Sequence, residues 1–192
     1  MRSLLFAGGR SSRMGMDKAM IEIDGEVMIS RVARALADAG LEPIRIAVAD
    51  PVDVERYGAA LNGDLQVEWV LDGVTHAGPI DALEEALLDP QCEDIETIQL
   101  APVDSPWVTT ALFRSLEEGL GGDDALIMPH DGERLHPLLA LIRPDVVLNI
   151  IGDGDRRPLH VQFSEAQHSL VMEDPQVLRN VNRPEDLERD FT

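Results

Sequence analysis

Short apolar runs alternate with amphipathic stretches along most of this chain. The runs at Ser3 to Ala7, Ile44 to Ala49, Val67 to Leu71, Thr97 to Ala101 and Ala125 to Met128 are brief and bounded by Gly, Pro or Asp, a pattern that predicts strands. Between them lie segments carrying helix start and stop signals. Val27 to Ala39 ends at Gly40, and Asp53 to Leu61 ends near Asn62-Gly63; Pro79 to Leu88 opens with proline, while Thr109 to Leu120 opens on a threonine cap and ends at Gly121-Gly122. This rhythm predicts an α/β protein in three α/β/α layers, with a mostly parallel, Rossmann-like sheet and ligands beyond the carboxyl ends of its strands. Glu133 to Ile142 adds a strand before Pro144, and the remaining third is less regular. The absence of repeats, linkers and low-complexity segments leads us to expect a single domain over residues 1–192.

Composition narrows the function. The chain is 44% hydrophobic, yet no apolar stretch approaches the roughly 18 residues of a membrane span. The N-terminus runs straight into a strand-like segment with no secretory leader before it, so a cytoplasmic protein is expected. Cys92 is the only cysteine, which excludes an internal disulfide and reads as a small, partly buried side chain in a reducing compartment. A formal charge of −20 argues against nucleic acid and anionic membranes as partners, since both need a cationic face. Glu84-Glu85, Glu117-Glu118 and Asp123-Asp124 read as solvated faces or turns. Acid excess with arginine almost wholly replacing lysine resembles proteins of a salt-rich, halophilic cytoplasm. That reading carries a test. The melting temperature should fall as salt is lowered from molar concentrations, where the Debye length is about 3 Å, toward about 0.1 M, where it grows to about 10 Å. A flat melting temperature across that range removes the high-salt reading.

Candidate chemistry begins at "LLFAGGRSSRMGMDKAM", residues 4 to 20, where an apolar run stops at Gly8-Gly9 and gives way to Arg10, Arg13 and Lys18. Lys18 is the only lysine, so scarce positive charge is gathered in one loop. Adjacent glycines beyond a strand's carboxyl end let backbone N–H groups approach an anion, while Arg13 and Lys18 supply mobile charge. This suits a phosphate cradle; a Gly-rich surface turn with incidental arginines is the alternative from residue types alone. Neither G-x-x-x-x-G-K-[ST] nor G-x-G-x-x-G occurs at this strand. Asp104 follows an apolar strand and precedes Ser105-Pro106, which aims its carboxylate at the same end of the sheet. One aspartate there can anchor Mg²⁺ whose other ligands are phosphate and water, although turns and helix caps also use aspartate.

"AGGRSSRMGMDKA" resembles the signature loop of nucleotidyltransferases that join a nucleoside monophosphate to a phosphorylated small molecule. Among these it is most similar to the molybdenum cofactor guanylyltransferases, whose motif reads approximately L-A-G-G-x-S-x-R-M-G-x-D-K. "APVDSPWV" at 101–108 is similar to the family's C-D-x-P-F segment, "HDGERLHPLLAL" at 130–141 to its H-D-G-x-x-x-P-L stretch, and "NVNRPEDL" at 180–187 to its N-x-N-x-P-E-D-L. The motifs stand in the family's order across nearly the whole chain.

The resemblance implies a Rossmann-like nucleotidyltransferase fold, Mg²⁺ as cofactor, and GTP and molybdopterin as partners. Molybdopterin's terminal phosphate would attack the α-phosphate of GTP and expel pyrophosphate, leaving a guanine dinucleotide cofactor. It further implies catalytic roles for Arg13, Lys18 and Asp104, with Asp104 holding the metal. Phe6, Ala7, Gly8, Gly9, Lys18, Asp72, Asp104, Asn180 and Asn182 would line the nucleotide and acceptor sites, Asp72 near the nucleoside. Transient contact with other cofactor-biosynthesis proteins or with molybdoenzymes is implied as well.

Other residues stay open between uses. Asn180 and Asn182, two apart, can present both amides to one side of an extended segment. His130, Asp131 and His136 lack compact metal-ligand spacing, so His136 reads as a packing or substrate-side residue. Asp153 and Asp155 read as a turn. Arg156-Arg157 suits either an acceptor phosphate or surface salt bridges. Departures from the family pattern are Ala47 and Ala49, where asparagine is common; "GPIDAL", which lacks a second glycine after Gly78 and Pro79; and Phe6 in place of leucine. A molybdopterin cytidylyltransferase, a cobinamide-phosphate guanylyltransferase and a nucleotide-binding regulator without turnover are the competing readings.

Overall fold

The computed structural model describes residues 2–7, 17–61, 63–71, 78–92, 94–152 and 154–187. In chain order it contains β1 (Ser3–Phe6), β2 (Glu22–Ile23), β3 (Glu26–Val27), α1 (Met28–Asp38), β4 (Ile44–Val48), α2 (Pro51–Gly58), β5 (Val67–Leu71), α3 (Pro79–Leu87), β6 (Ile98–Pro102), α4 (Thr110–Gly119), β7 (Leu126–His130), β8 (Leu141–Ile142), α5 (Pro144–Ile151), α6 (Leu159–Glu165) and β9 (His168–Met172). Seven strands form one sheet in the order β5-β4-β1-β6-β8-β7-β9, parallel except where β8 runs against β6 and β7. Helix ends follow local chemistry. The Thr109 side chain accepts the Leu112 N–H at the start of α4, Asp50 caps α2 ahead of Pro51, and Gly40 takes φ +80° just past α1.

Strand periodicity divides the core between two faces. Leu4 packs on one side of β1 and Leu5 on the other, and Ala47 and Ile46 divide β4 likewise. Met28, Ile29, Val32, Leu112 and Phe113 bring α1 and α4 onto one face; Leu83, Val147 and Phe163 bring α3, α5 and α6 onto the other. Central strands buried on both faces read as near-continuous apolar runs, which is why they were legible.

Several features depart from the sequence reading. Residues 144–172 carry regular elements, α5, α6 and β9, that complete the layers, although the β-branched run of α5 does not favour a helix by itself. Within 133–142 the strand shrinks to Leu141–Ile142, because Pro137 opens a 3-10 turn over Pro137–Leu139; Leu135 makes only an isolated bridge to His130. Asp24 (φ 53°) and Gly25 (φ 84°) form the two-residue turn of the small β2–β3 hairpin, the backbone pairing expected of an Asp-Gly step.

Charge placement also differs. Asp124 is buried, accepting the Gly121 N–H and the Ser169 hydroxyl, so the Asp123-Asp124 cluster is not wholly solvated. Arg45 is 1% exposed inside β4, ion-paired with Asp89 at 3.0 Å and with its register partner Glu68 at 3.5 Å. Burying such a charge is tolerable only with these counter-charges. Cys92 is buried, its thiol donating to the Ala86 carbonyl at 3.1 Å. Among the described residues no helix is long and apolar enough to cross a membrane.

Candidate active site

The chain leaves β1 for β4 and β5 on one side, then returns to place β6 on the other side of β1. Connections therefore diverge from β1 in opposite directions, and the crevice outside the carboxyl ends of β1 and β6 is the topological switch point, where α/β sheets bind ligands. Lys18 and Asp104 both stand at this end, the first opening a 3-10 turn over Lys18–Met20 and the second just past β6.

Their side chains meet. Lys18 Nζ lies 3.4 Å from Asp104 Oδ2 and donates at 2.7 Å to Asn182 Oδ1. The lysine and aspartate side chains are 14% and 23% exposed, enough shielding to raise the strength of their pairing above that of a surface ion pair. Burial pushes the Asp104 carboxyl above its ordinary range, and the charge of Lys18 opposes that shift. Asn180 joins from the neighbouring position, its Oδ1 accepting the Ser105 hydroxyl at 2.9 Å.

The two asparagines reach the site because the segment between them is fastened to Asp104. The Val181 N–H donates to the Asp104 carbonyl at 2.7 Å, and Val181 is fully buried between two exposed asparagines. Asp186 shapes the bend that follows, accepting the N–H groups of Asn182 at 2.7 Å and Arg183 at 2.8 Å. These bonds hold its carboxyl below the ordinary range. The aspartate of "RPEDL" thus orders the asparagine pair, a use visible in the sequence only as an aspartate four residues after Asn182.

Four of the expected site residues, Gly8, Gly9, Arg13 and Asp72, lie outside the described residues. Phe6 and Ala7 end the first strand with sheet bonds of their own: the Val103 N–H donates to the Phe6 carbonyl, and the Ala7 N–H donates to the Ala47 carbonyl. The Ala7 N–H is therefore committed to the sheet rather than to a base. Ser105, Asp186 and Asp17 are site-shaping residues that the sequence reading did not single out.

Residues 3–160 match the family described as the MobA-like NTP transferase domain. The chain belongs to that family. It is 30% identical over 198 residues to the molybdenum cofactor guanylyltransferase of Rhizobium rhizogenes, covering 95% of this chain and 87% of the relative. It is 24% identical to that of Photobacterium profundum, covering 97% and 93%. Its fold matches the crystal structure of molybdopterin-guanine dinucleotide biosynthesis protein A from Archaeoglobus fulgidus with a TM-score of 0.69 at 19% identity, over 97% of this chain and 95% of that one. As a MobA-like transferase the chain is a member of a nucleotidyltransferase family, and Lys18, Asp104, Asn180 and Asn182 come from three of the four motifs that the sequence resemblance rested on.

The fourth motif builds a turn. Asp131 Oδ1 accepts the N–H groups of Arg134 at 2.7 Å and Glu133 at 2.9 Å, while its Oδ2 lies 3.4 Å from His136 Nε2. Among the described residues no group of three or more His, Cys, Asp or Glu could hold a metal, and His136 is engaged by this turn. The Arg134 bond first, then that of Glu133, holds the Asp131 carboxyl down at about 2, against an ordinary 3.8. A depressed carboxyl stabilises the fold above its ordinary pKa and loses that contribution as pH falls toward the folded value. Wild type should therefore exceed Asp131→Ala in denaturation midpoint at about pH 5, with the gap closing between about pH 4 and pH 2. A pH-independent gap would assign Asp131 a packing role only. Arg156 pairs with Asp81 and Glu84, and Arg157 with Asp155 and Glu165, so the surface salt-bridge reading of this pair prevails.

Proposed function

We propose that this protein transfers GMP from GTP to the terminal phosphate of molybdopterin, releasing pyrophosphate. The observation that carries the reading is the meeting of Lys18, Asp104 and Asn182 at the switch point, in a chain whose relatives are named molybdenum cofactor guanylyltransferases. An oxygen of the acceptor phosphate attacks the α-phosphorus, the bridging bond to the β-phosphate breaks, and its electron pair leaves on pyrophosphate. No covalent intermediate on the protein is required, so catalysis rests on positioning and charge.

Lys18 Nζ, already turned toward the crevice by two oxygen acceptors, has a third donor direction for a phosphate oxygen and offsets negative charge growing on the leaving group. Arg13, Gly8 and Gly9 would add charge and backbone donors. Asn180 and Asn182 present amides to the acceptor, Asp72 serves the nucleoside, and Asp104 is the residue to hold Mg²⁺. A single partly buried carboxylate suits that cation, which keeps water and phosphate for most of its octahedron. Bound there, Mg²⁺ would neutralise phosphate charge.

Guanine presents donors beside an acceptor, so a site built to its edge leaves buried groups unmet when cytosine or adenine enters. Each unmet group costs about 1–3 kcal/mol, and two disfavour the wrong nucleotide by roughly 10² or more in kcat/KM. Base reading falls to backbone groups of residues 6–9 that the sheet does not claim, as it claims the Ala7 N–H and the Phe6 carbonyl, because Ala47 and Ala49 offer no side-chain partner. The test is a competition of GTP, CTP and ATP for molybdopterin, followed by pyrophosphate release and the mass of the dinucleotide. GTP should win. Equal or faster transfer from CTP makes the protein a cytidylyltransferase, and transfer from no nucleotide makes it a regulator.

A further inference from the structure

The aspartate immediately before Lys18 is held by a helix remote in sequence. Asp17 is the N-cap of the turn over Lys18–Met20, and its Oδ1 accepts the Ala19 N–H at 3.0 Å. Its other oxygen, Oδ2, accepts the Tyr57 hydroxyl at 2.8 Å and pairs with Arg56, both from α2. The carboxylate is thus gripped at both oxygens, one by the turn that carries Lys18 and the other by the helix packed beside it.

The two grips on Oδ2 differ in rigidity. The Arg56 side chain is 44% exposed, and a long exposed side chain fixes little through an ion pair. Tyr57 is 3% exposed, its ring part of the core on the face where α2 meets β4. Burial pushes its hydroxyl up to about 12, so it stays a proton donor throughout the neutral range. A ring locked by packing fixes the place of its hydroxyl, and that hydroxyl fixes the rotation of the Asp17 carboxylate.

We propose that Tyr57, through Asp17, is the positioning residue for Lys18. The chain of contacts runs from the Tyr57 hydroxyl to Asp17, from Asp17 to the Ala19 N–H, and so to the turn whose first residue is Lys18. Ala19 is fully buried in the core, which anchors the turn. The ammonium can then meet Asp104 and Asn182 without a bond from Tyr57 to either. Lys18 itself is a catalytic residue under the function proposed above, and this inference rests on that reading for its effect on rate.

Because Lys18 is the only lysine, protein labelled with carbon-13 at lysine gives one ε-methylene resonance, a report on this side chain that needs no activity. Tyr57→Phe, which keeps the ring and removes the hydroxyl, should shift or broaden that resonance and leave the cooperative unfolding transition in place. It should lower kcat about tenfold with KM for the nucleotide little changed, the scale for loosening a supporting contact. Asp17→Ala should do the same, and Asp17→Asn, which keeps an oxygen acceptor, should recover most of the loss. In a Lys18→Met background Tyr57→Phe should cause no further loss, since residues acting as a unit are not additive. An unmoved lysine resonance in both Tyr57→Phe and Asp17→Ala overturns the proposal, and so does a full tenfold loss retained without Lys18. If wild type transfers no nucleotide, the functional reading falls while the resonance still decides the positioning role.

Discussion

Asp104→Asn should lower GMP transfer roughly 10³-fold, the factor that corresponds to losing several kcal/mol of metal-assisted charge stabilisation. The amide keeps the shape of the carboxylate but is a poorer ligand for a hard cation, so the Mg²⁺ concentration giving half-maximal rate should rise in parallel. Stability should move the other way. Burial raises the Asp104 carboxyl, which means the folded protein disfavours its ionised form and loses stability as pH rises through the range between the ordinary and the folded pKa. At neutral pH the substitution removes that penalty, so the melting temperature should hold or increase. Activity lost together with a lower melting temperature and an unchanged metal titration would mark Asp104 as a structural capping residue.

Lys18→Met should slow transfer by roughly 10² to 10³, the range for removing one preorganised group that stabilises developing charge. Methionine replaces the apolar stem of lysine and lacks only its ammonium, and the turn depends on backbone bonds and the Asp17 cap rather than on the ammonium. Far-ultraviolet circular dichroism should therefore be unchanged. The loss should fall on kcat more than on KM, because the contact strengthens as pyrophosphate departs. Near-normal turnover would remove Lys18 from the site.

Much of this site was legible because its residues are both chemically costly and rare. A lone lysine in a chain of net charge −20, set beyond a strand and a glycine pair, is hard to explain as surface decoration. Asp104 could be placed because an apolar run fixes which end of the strand it follows. What could not be read was the partnership. Lys18 and Asn182 are 164 residues apart, and no spacing rule joins them. Arg156 and Arg157 show the same limit: either use was consistent with their chemistry, and only the fold brings Asp81, Glu84 and Glu165 within reach of them.

Elements whose reasons are local can be read directly from the residues. β1, β4 and β6 are buried on both faces and so are largely apolar, while α1 and α4 carry their own stop and start signals in Gly40 and Thr109. Tertiary structure decided the rest. The valines and isoleucines of α5 become helical because Val147 and Ile151 fill the layer beside α3, and packing outweighs a weak intrinsic preference. Arg45 is held inside β4 because Glu68 and Asp89 arrive from other segments to compensate its charge. Asp17 is gripped by Tyr57 for the same reason: long-range partners are set by how helices cross a sheet, and sequence carries no local mark of that crossing.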